Sequence, residues 1–286
     1  MLISHAFSIH WYNIEFYNQL LTQPLSFADT IFSRLDESLV VYDLPAKFTF
    51  PFDYEPHPLA LLAVEKLQSH LENQEEWDHN FGLKADQEGA VVGKMFGVLV
   101  VKTEYDEIGY LSAFSGKLAG GNHHSKFVPP IFDGMADGGF LNAGMEKLSL
   151  INHQIKVLED QLSENQEKVE YLKANRKAHS ISLQQEIFDQ YNFLNQNGEE
   201  KSLCDIFEDA SYRNPPAGAG ECAAPKLLQY AFQQNMQPIA MAEFWWGLSP
   251  KSDYWQHGHF YPACHEKCKP ILEHMLAGIE MDEKPI

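Results

Sequence analysis

The sequence is short of positive charge: 21 lysines and arginines stand against 40 aspartates and glutamates, a formal net charge of −19 over 286 residues. A surface of that sign repels nucleic-acid phosphates and anionic lipid alike, so any RNA contact requires a local basic patch or another domain. Cysteine is scarce too, and Cys204, Cys222, Cys264 and Cys268 all fall in the last third. Four cysteines so crowded cross-link a chain of this length poorly and suit a metal site with reduced thiols better. No window approaches the roughly eighteen apolar residues of a membrane span. The opening Met1-Leu2-Ile3-Ser4-His5-Ala6-Phe7 also lacks the basic stretch and unbroken apolar run of a secretory leader. The expectation is a soluble, cytoplasmic protein of bacterial type with no membrane partner. What is abundant is core-forming material, 44% hydrophobic and 13% aromatic, enough for one large or two ordinary domains.

Along the chain, the run Phe48-Thr49-Phe50-Pro51-Phe52-Asp53-Tyr54-Glu55-Pro56-His57-Pro58 reads as irregular, because repeated prolines favour extended or turn backbone. Leu59, Leu62, Ala63, Lys66, Leu67 and His70 then fall at helical spacing, and Pro58 suits a first helical turn, predicting an amphipathic helix over 59–71. Two β-rich runs, Lys94 to Lys102 and Ile108 to Phe114, flank a short polar loop and predict an antiparallel hairpin. The glycines of Ser115 to Gly121 make a flexible exit toward His123 and His124, read as solvated polar residues rather than ligands. Between Leu148 and Leu172, the positions Leu148, Ile151, Ile155, Leu158, Leu162, Val169 and Leu172 recur at three- and four-residue steps, broken only at Asn165. This is a coiled-coil-like seam, and Ser180 is placed to cap a second helix carrying Ile181, Ile187, Phe188, Tyr191 and Leu194. The expected outcome is a protruding antiparallel helical hairpin, with Lys173, Arg176 and Lys177 as its candidate RNA-contacting residues; the alternative is a solvated spacer or a homodimerisation element.

The chemistry concentrates near the C-terminus. Asn214 to Gly220 is a Pro/Gly loop that runs into a helical pattern with Cys222 at its start, where backbone N–H groups and the helix dipole favour a thiolate. Pro238 to Gly247 reads as a buried strand with an aromatic end. Then comes His257-Gly258-His259-Phe260-Tyr261-Pro262-Ala263-Cys264-His265-Glu266-Lys267-Cys268, where one helical turn brings Cys264 and Cys268 to the same face. Cys222, Cys264 and Cys268 supply three thiolates for tetrahedral zinc, with His259 the favoured fourth ligand and His257 or Cys204 as alternatives.

The order hairpin, cysteine-headed helix, strand, Pro-x-Cys helix start resembles the core of zinc-dependent nucleobase deaminases, in which a glutamate two residues after the first ligand moves protons. Here that position is Ala224 and the last two cysteines are four apart, so Glu221 or Glu243 would have to supply the acid. A broader likeness runs through Phe48 to Phe52, Pro56 to Leu59, Phe114 to Gly120, Phe127 to Asp133, Lys201 to Phe207, Pro215 to Leu228, Met241 to Gly247 and Tyr261 to Leu276. These stretches resemble the N-terminal extension of certain bacterial RluA family RNA pseudouridine synthases. The resemblance implies a link to tRNA or rRNA modification, with the synthase domain itself outside this chain, and it transfers no catalytic residue. Ser33-Arg34-Leu35-Asp36 matches three residues of that family's Arg-Leu-Asp motif, but the family's Thr-Ser-Gly continuation is replaced by Glu37-Ser38-Leu39, so Asp36 is assigned no catalytic role.

The sequence therefore predicts an α+β fold: an N-terminal part over 1–140 with the β-hairpin near 94–114, a helical hairpin insertion over 141–198, and a Cys/His-containing part over 199–286 packing on the first. The leading functional expectation is an accessory, zinc-stabilised region of an RluA-type synthase that handles RNA. A zinc-dependent deaminase-like enzyme, and a structural or dimerisation module, are the alternatives.

Overall fold

The computed structural model describes residues 31–35, 42–85, 87–134, 136, 139–159, 165–210 and 214–283. Asp36 lies outside them. The described residues form a mixed α+β fold. Its centre is an antiparallel sheet of four strands, β1 (Ser33–Arg34), β2 (Lys94–Lys102), β3 (Ile108–Phe114) and β6 (Gln237–Trp246), in the order β1-β3-β2-β6. Two short strands, β4 (Asn192–Leu194) and β5 (Glu200–Ser202), pair separately.

The predicted hairpin is β2–β3, registered Val98 against Ser112 and Val100 against Tyr110. Its turn is closed by Thr103, whose hydroxyl accepts the Glu107 N–H at 3.2 Å. Strand β6 covers the other edge of β2 and sets Gly97 opposite Glu243.

Because side chains alternate across a strand, each face of the sheet buries its own set. Phe96, Val98 and Val100 of β2 join Ala240, Ala242, Phe244 and Trp246 of β6 against helix α1 (Pro58–Asn73). Leu59, Ala60, Ala63, Val64, Leu67 and Leu71 of α1 recur at the three- and four-residue steps that put them on one stripe. This helix starts as the sequence predicts: Pro58 needs no N–H partner in the first turn, and the His57 Nδ1 accepts the Leu59 N–H at 3.2 Å. Phe96 is the hub of that face, its ring 5.8 to 6.5 Å from those of Phe81, Phe114, Phe127 and Phe244.

The opposite face, with Leu99, Val101, Leu111, Ala113 and Met241, shares one core with three helices. They are α4 (Leu203–Asp209), α5 (Ala223–Gln233) and α6 (Lys269–Met275). Ser202 caps α4 by accepting the Asp205 N–H at 3.1 Å.

Helices α2 (Phe140–Glu159) and α3 (Gln166–Phe188) run antiparallel, joined through Ile151, Ile155, Val169 and Leu172. Lys173 meets Glu159 at 2.6 Å, Arg176 donates to Asn152 at 2.9 Å, and Gly144 lies against Leu183. The second helix starts at Gln166, with Asn165 as its N-cap residue, not at Ser180 as the sequence suggested, and Leu162 lies outside the described residues. Residues 166–188 contain no glycine or proline, so nothing interrupts the helix at Ser180, which sits exposed within α3 beside an exposed Ile181. Leu194, expected in that second helix, belongs instead to β4.

Candidate metal centre

The sheet presents two helix starts side by side. Cys222 is the N-cap residue of α5, in extended backbone, and Cys268 is the N-cap residue of α6. Before α6, a single turn is closed by the Cys264 carbonyl, which accepts N–H bonds from Cys268 at 3.2 Å and Lys269 at 3.1 Å. That turn does what the four-residue spacing predicts: the Cys264 and Cys268 sulfurs are 3.4 Å apart. The three sulfurs of Cys222, Cys264 and Cys268 all lie within 4.8 Å of one another, a group able to hold a metal ion. Tetrahedral thiolates on zinc, at about 2.3 Å per bond, stand about 3.8 Å apart, so the spacing needs little adjustment.

The electrostatics divide the three thiols. Cys264, exposed, is held far below the usual thiol range by hydrogen bonds shared with Cys222 and Cys268, and then by the N–H groups of Lys267 and Cys268. Cys222 is pushed up, chiefly through its bond to Cys264, and the buried Cys268 is pushed up through its bonds to Cys222 and Cys264. Three sulfurs this close cannot all ionise without a cation between them, and one thiolate is all the protein environment itself supports.

Beneath the cysteines lies Glu243. It is 4% exposed, and its carboxylate accepts the Ala224 N–H at 3.3 Å. Burial pushes its pKa up to about 8, the Ala224 N–H opposes that shift, and Cys264 adds to it. Its backbone is held on both sides: the Glu243 N–H donates to the Tyr54 hydroxyl at 2.8 Å, and its carbonyl accepts the Tyr261 N–H at 3.0 Å. The Tyr54 hydroxyl in turn donates to the Tyr261 carbonyl at 3.2 Å, and burial pushes its phenol far up. Gly97 makes the approach possible. A Cβ there would stand 3.0 Å from the Ala223 Cβ, 3.2 Å from Leu227 and 3.4 Å from the Glu243 Cγ.

One turn further along α5, the buried Lys226 ammonium donates to the carbonyls of Phe114 at 3.0 Å and Gly116 at 3.2 Å, and it lies 5.1 Å from the Phe114 ring centre. Burial lowers its pKa to about 8, with Glu221 pulling the other way.

The remaining sequence candidates lie elsewhere. His259 is exposed and stands outside the cysteine group; its backbone, not its ring, is engaged, its carbonyl accepting the Trp245 N–H at 2.9 Å. The cause is local, because residues 258–260 zip along the free edge of β6 and bridge Phe244 to Phe260. His257 turns its Nδ1 to the Gly247 N–H at 3.0 Å and its ring against Trp246, on the α1 face. Cys204 sits in α4, its sulfur accepting from Gln185 at 3.4 Å. His123 pairs with Asp133 at 2.9 Å and His124 bonds the Leu118 carbonyl at 2.7 Å, so both serve their own loop. Lys173 and Arg176 are tied to α2 as described above, whereas Lys177 is exposed.

Lys226 and Tyr54 carry no sequence signal that separates them from ordinary residues of a helix and a loop. Glu243 does: it is the single acid in the otherwise apolar run Ile239 to Trp246, and an acid there must be satisfied inside the protein.

Fold and site together define a small antiparallel sheet layered between helices, with a three-cysteine, metal-competent group at two helix starts and a buried carboxylate beside it. No family model, curated protein or solved structure matches this chain.

Proposed function

We propose that the chain binds one zinc ion through Cys222, Cys264 and Cys268, and that this centre is hydrolytic, replacing an amino group of a nucleobase or nucleotide by oxygen from water with release of ammonia. The observation that carries this reading is the carboxylate of Glu243, fully buried, pushed toward neutrality and bonded to the N–H of Ala224, two residues past the first cysteine. In zinc-dependent deaminases a glutamate at the sequence position of Ala224 moves the protons. Here strand β6 brings the Glu243 carboxylate to within 3.3 Å of the Ala224 N–H, which supports giving it that role.

The order of elements supports the comparison: β2–β3 hairpin, α5 headed by Cys222, β6, then α6 headed by Cys268. Zinc, when bound, supplies Lewis-acid activation of water at neutral pH. The protein's own residues do the rest. Cys222, Cys264 and Cys268 would hold the ion, and among the described residues no histidine, His259 included, joins them. Glu243, poised near neutral pH, accepts a proton from water and returns it to the departing amine. Tyr54 and Tyr261 fix the backbone that carries it.

Zinc-loaded protein incubated with cytosine, adenine and guanine bases, nucleosides and nucleotides should release ammonia from one class. Glu243→Gln should retain zinc and lose the turnover. Turnover unchanged in that variant, or no ammonia from any of the panel, refutes the hydrolytic reading.

A second reading treats the chain as an accessory region of an RluA-type pseudouridine synthase that holds tRNA or rRNA. It draws support from α3, where Lys168, Lys173, Arg176 and Lys177 form a basic stretch in a chain of net charge −19. Gel-shift titration with tRNA tests it, with Arg176→Glu and Lys177→Glu together expected to abolish the shift. A shift that survives the double variant counts against the arm as the RNA contact.

A further inference from the structure

A cavity of about 370 Å³ lies on the other side of the sheet from the cysteines. Its walls include Phe81, Leu71 and Trp246 of the α1-face cluster, whereas Cys222 and Cys268 belong to the opposite one. The volume falls within the roughly 300–1,000 Å³ of small-molecule sites. Nothing in the proposed hydrolytic centre uses it.

The arrangement of its rings is specific. Trp77 meets Phe81 at 75° with centres 6.3 Å apart, and Trp246 meets His257 at 65° and 4.4 Å. His79 lies 4.5 Å from Phe81 at 54°. A slot for a planar base needs parallel faces; rings set steeply to one another enclose a compact group on several sides. Glu72 and Asp78, both exposed, bring two carboxylates to the lining, against the single ammonium of Lys84 among the described lining residues. A phosphate-bearing ligand is disfavoured by that balance, and a cation is favoured both by the carboxylates and by the negative ring faces.

The histidines do not make this a metal or acid–base site. His79 bonds the Val92 carbonyl at 2.7 Å through Nε2 and accepts the Ala119 N–H at 3.3 Å through Nδ1, which engages both ring nitrogens. His257 spends Nδ1 on the Gly247 N–H. Three of the four ring nitrogens are thus engaged within the protein, and the two rings serve as walls.

We propose that this cavity binds a small quaternary ammonium compound, with Trp77, Phe81 and Trp246 presenting their ring faces to the onium group and Glu72 and Asp78 compensating its charge. Calorimetric titration of the full chain with choline, and with its uncharged isostere dimethylbutanol, tests this directly. Choline should bind saturably and at least about tenfold more tightly than the isostere. Trp77→Leu should weaken choline roughly three- to thirtyfold, and Glu72→Gln, at an exposed position that leaves packing intact, should weaken choline but not dimethylbutanol. Absence of saturable choline binding up to tens of millimolar, equal binding of the two probes, or unchanged choline affinity in folded Glu72→Gln overturns the proposal. Zinc content is independent of all of these readouts.

Discussion

Replacing Gly97 by alanine sets two effects of opposite sign against each other. Gly97 lies in the middle of β2, outside the left-handed backbone region, so alanine meets no conformational penalty there. Where space is open, such a change stabilises by about 0.4–1 kcal/mol, because the unfolded chain loses freedom. Here the new methyl would stand 3.0 Å from the Ala223 Cβ, which is fixed to the backbone of α5 and cannot rotate aside, and 3.2 Å from Leu227. Relief requires α5 to lift from the sheet by a few tenths of an ångström. Overpacking of this kind costs about 1–3 kcal/mol, or roughly 2–10 °C in Tm for a chain of this size. The same displacement moves Cys222, the residue that heads α5, away from Cys264 and Cys268. Gly97→Ala should therefore lower Tm in a thermal melt and weaken zinc about tenfold in a chelator competition. A rise in Tm with unchanged zinc affinity would refute the claim that glycine at this position sets the distance between the sheet and the metal centre.

Glu243 gives a pH signature in metal-free protein. Burial raises its pKa from the ordinary 4.5 to about 8, so between those values the folded state holds a proton that the unfolded state has lost. Its contribution is thus full below pH 4.5 and fades as pH rises to 8, a fall on the order of 5 kcal/mol for a fully buried group. Denaturant melts of Glu243→Gln should show that slope missing, and an identical pH profile in both proteins would contradict the assignment. Phe96→Ala empties the centre of the α1 face, where four rings meet it, and should cost about 3–5 kcal/mol in urea melts without altering zinc stoichiometry. Gly144→Val places a branched side chain where even a Cβ would stand 2.5 Å from Leu183, and should loosen α2 from α3 in hydrogen exchange while the sheet stays protected.

Periodicity carried much of the fold. The β-rich runs in 94–114 and the apolar steps of 59–71 register directly as β2–β3 and α1, since strands buried on both faces are apolar nearly throughout and a helix laid on a sheet buries one stripe. The start of α5 was equally legible, because Cys222 follows a Pro/Gly loop, whereas the helix expected from Pro262-x-Cys264 begins only at Lys269, after the single turn that Cys264 closes. The helical arm was read in kind but not in its turn: capping chemistry pointed to Ser180, yet the helix runs through it because uninterrupted propensity outweighs a single candidate cap. Strands β4 and β5 escaped notice because three residues are too few to show a period. At the site, the thiols were found from residue type and spacing. His259 was misplaced because spacing along the chain says nothing about which edge of β6 its loop would follow. The importance of Glu243 depends on pairing between distant strands, and its register opposite Gly97 exists only once β6 has docked on β2.

The most direct test of the account is elemental analysis of the protein purified without chelator, wild type beside Cys264→Ser. Roughly one zinc per chain in the wild type, lost in a variant that keeps its circular dichroism spectrum, is the result predicted for three cysteines sharing a single ion. A wild-type protein that is free of zinc and takes none up on addition would contradict the metal centre, and the hydrolytic function proposed for it would fall with it.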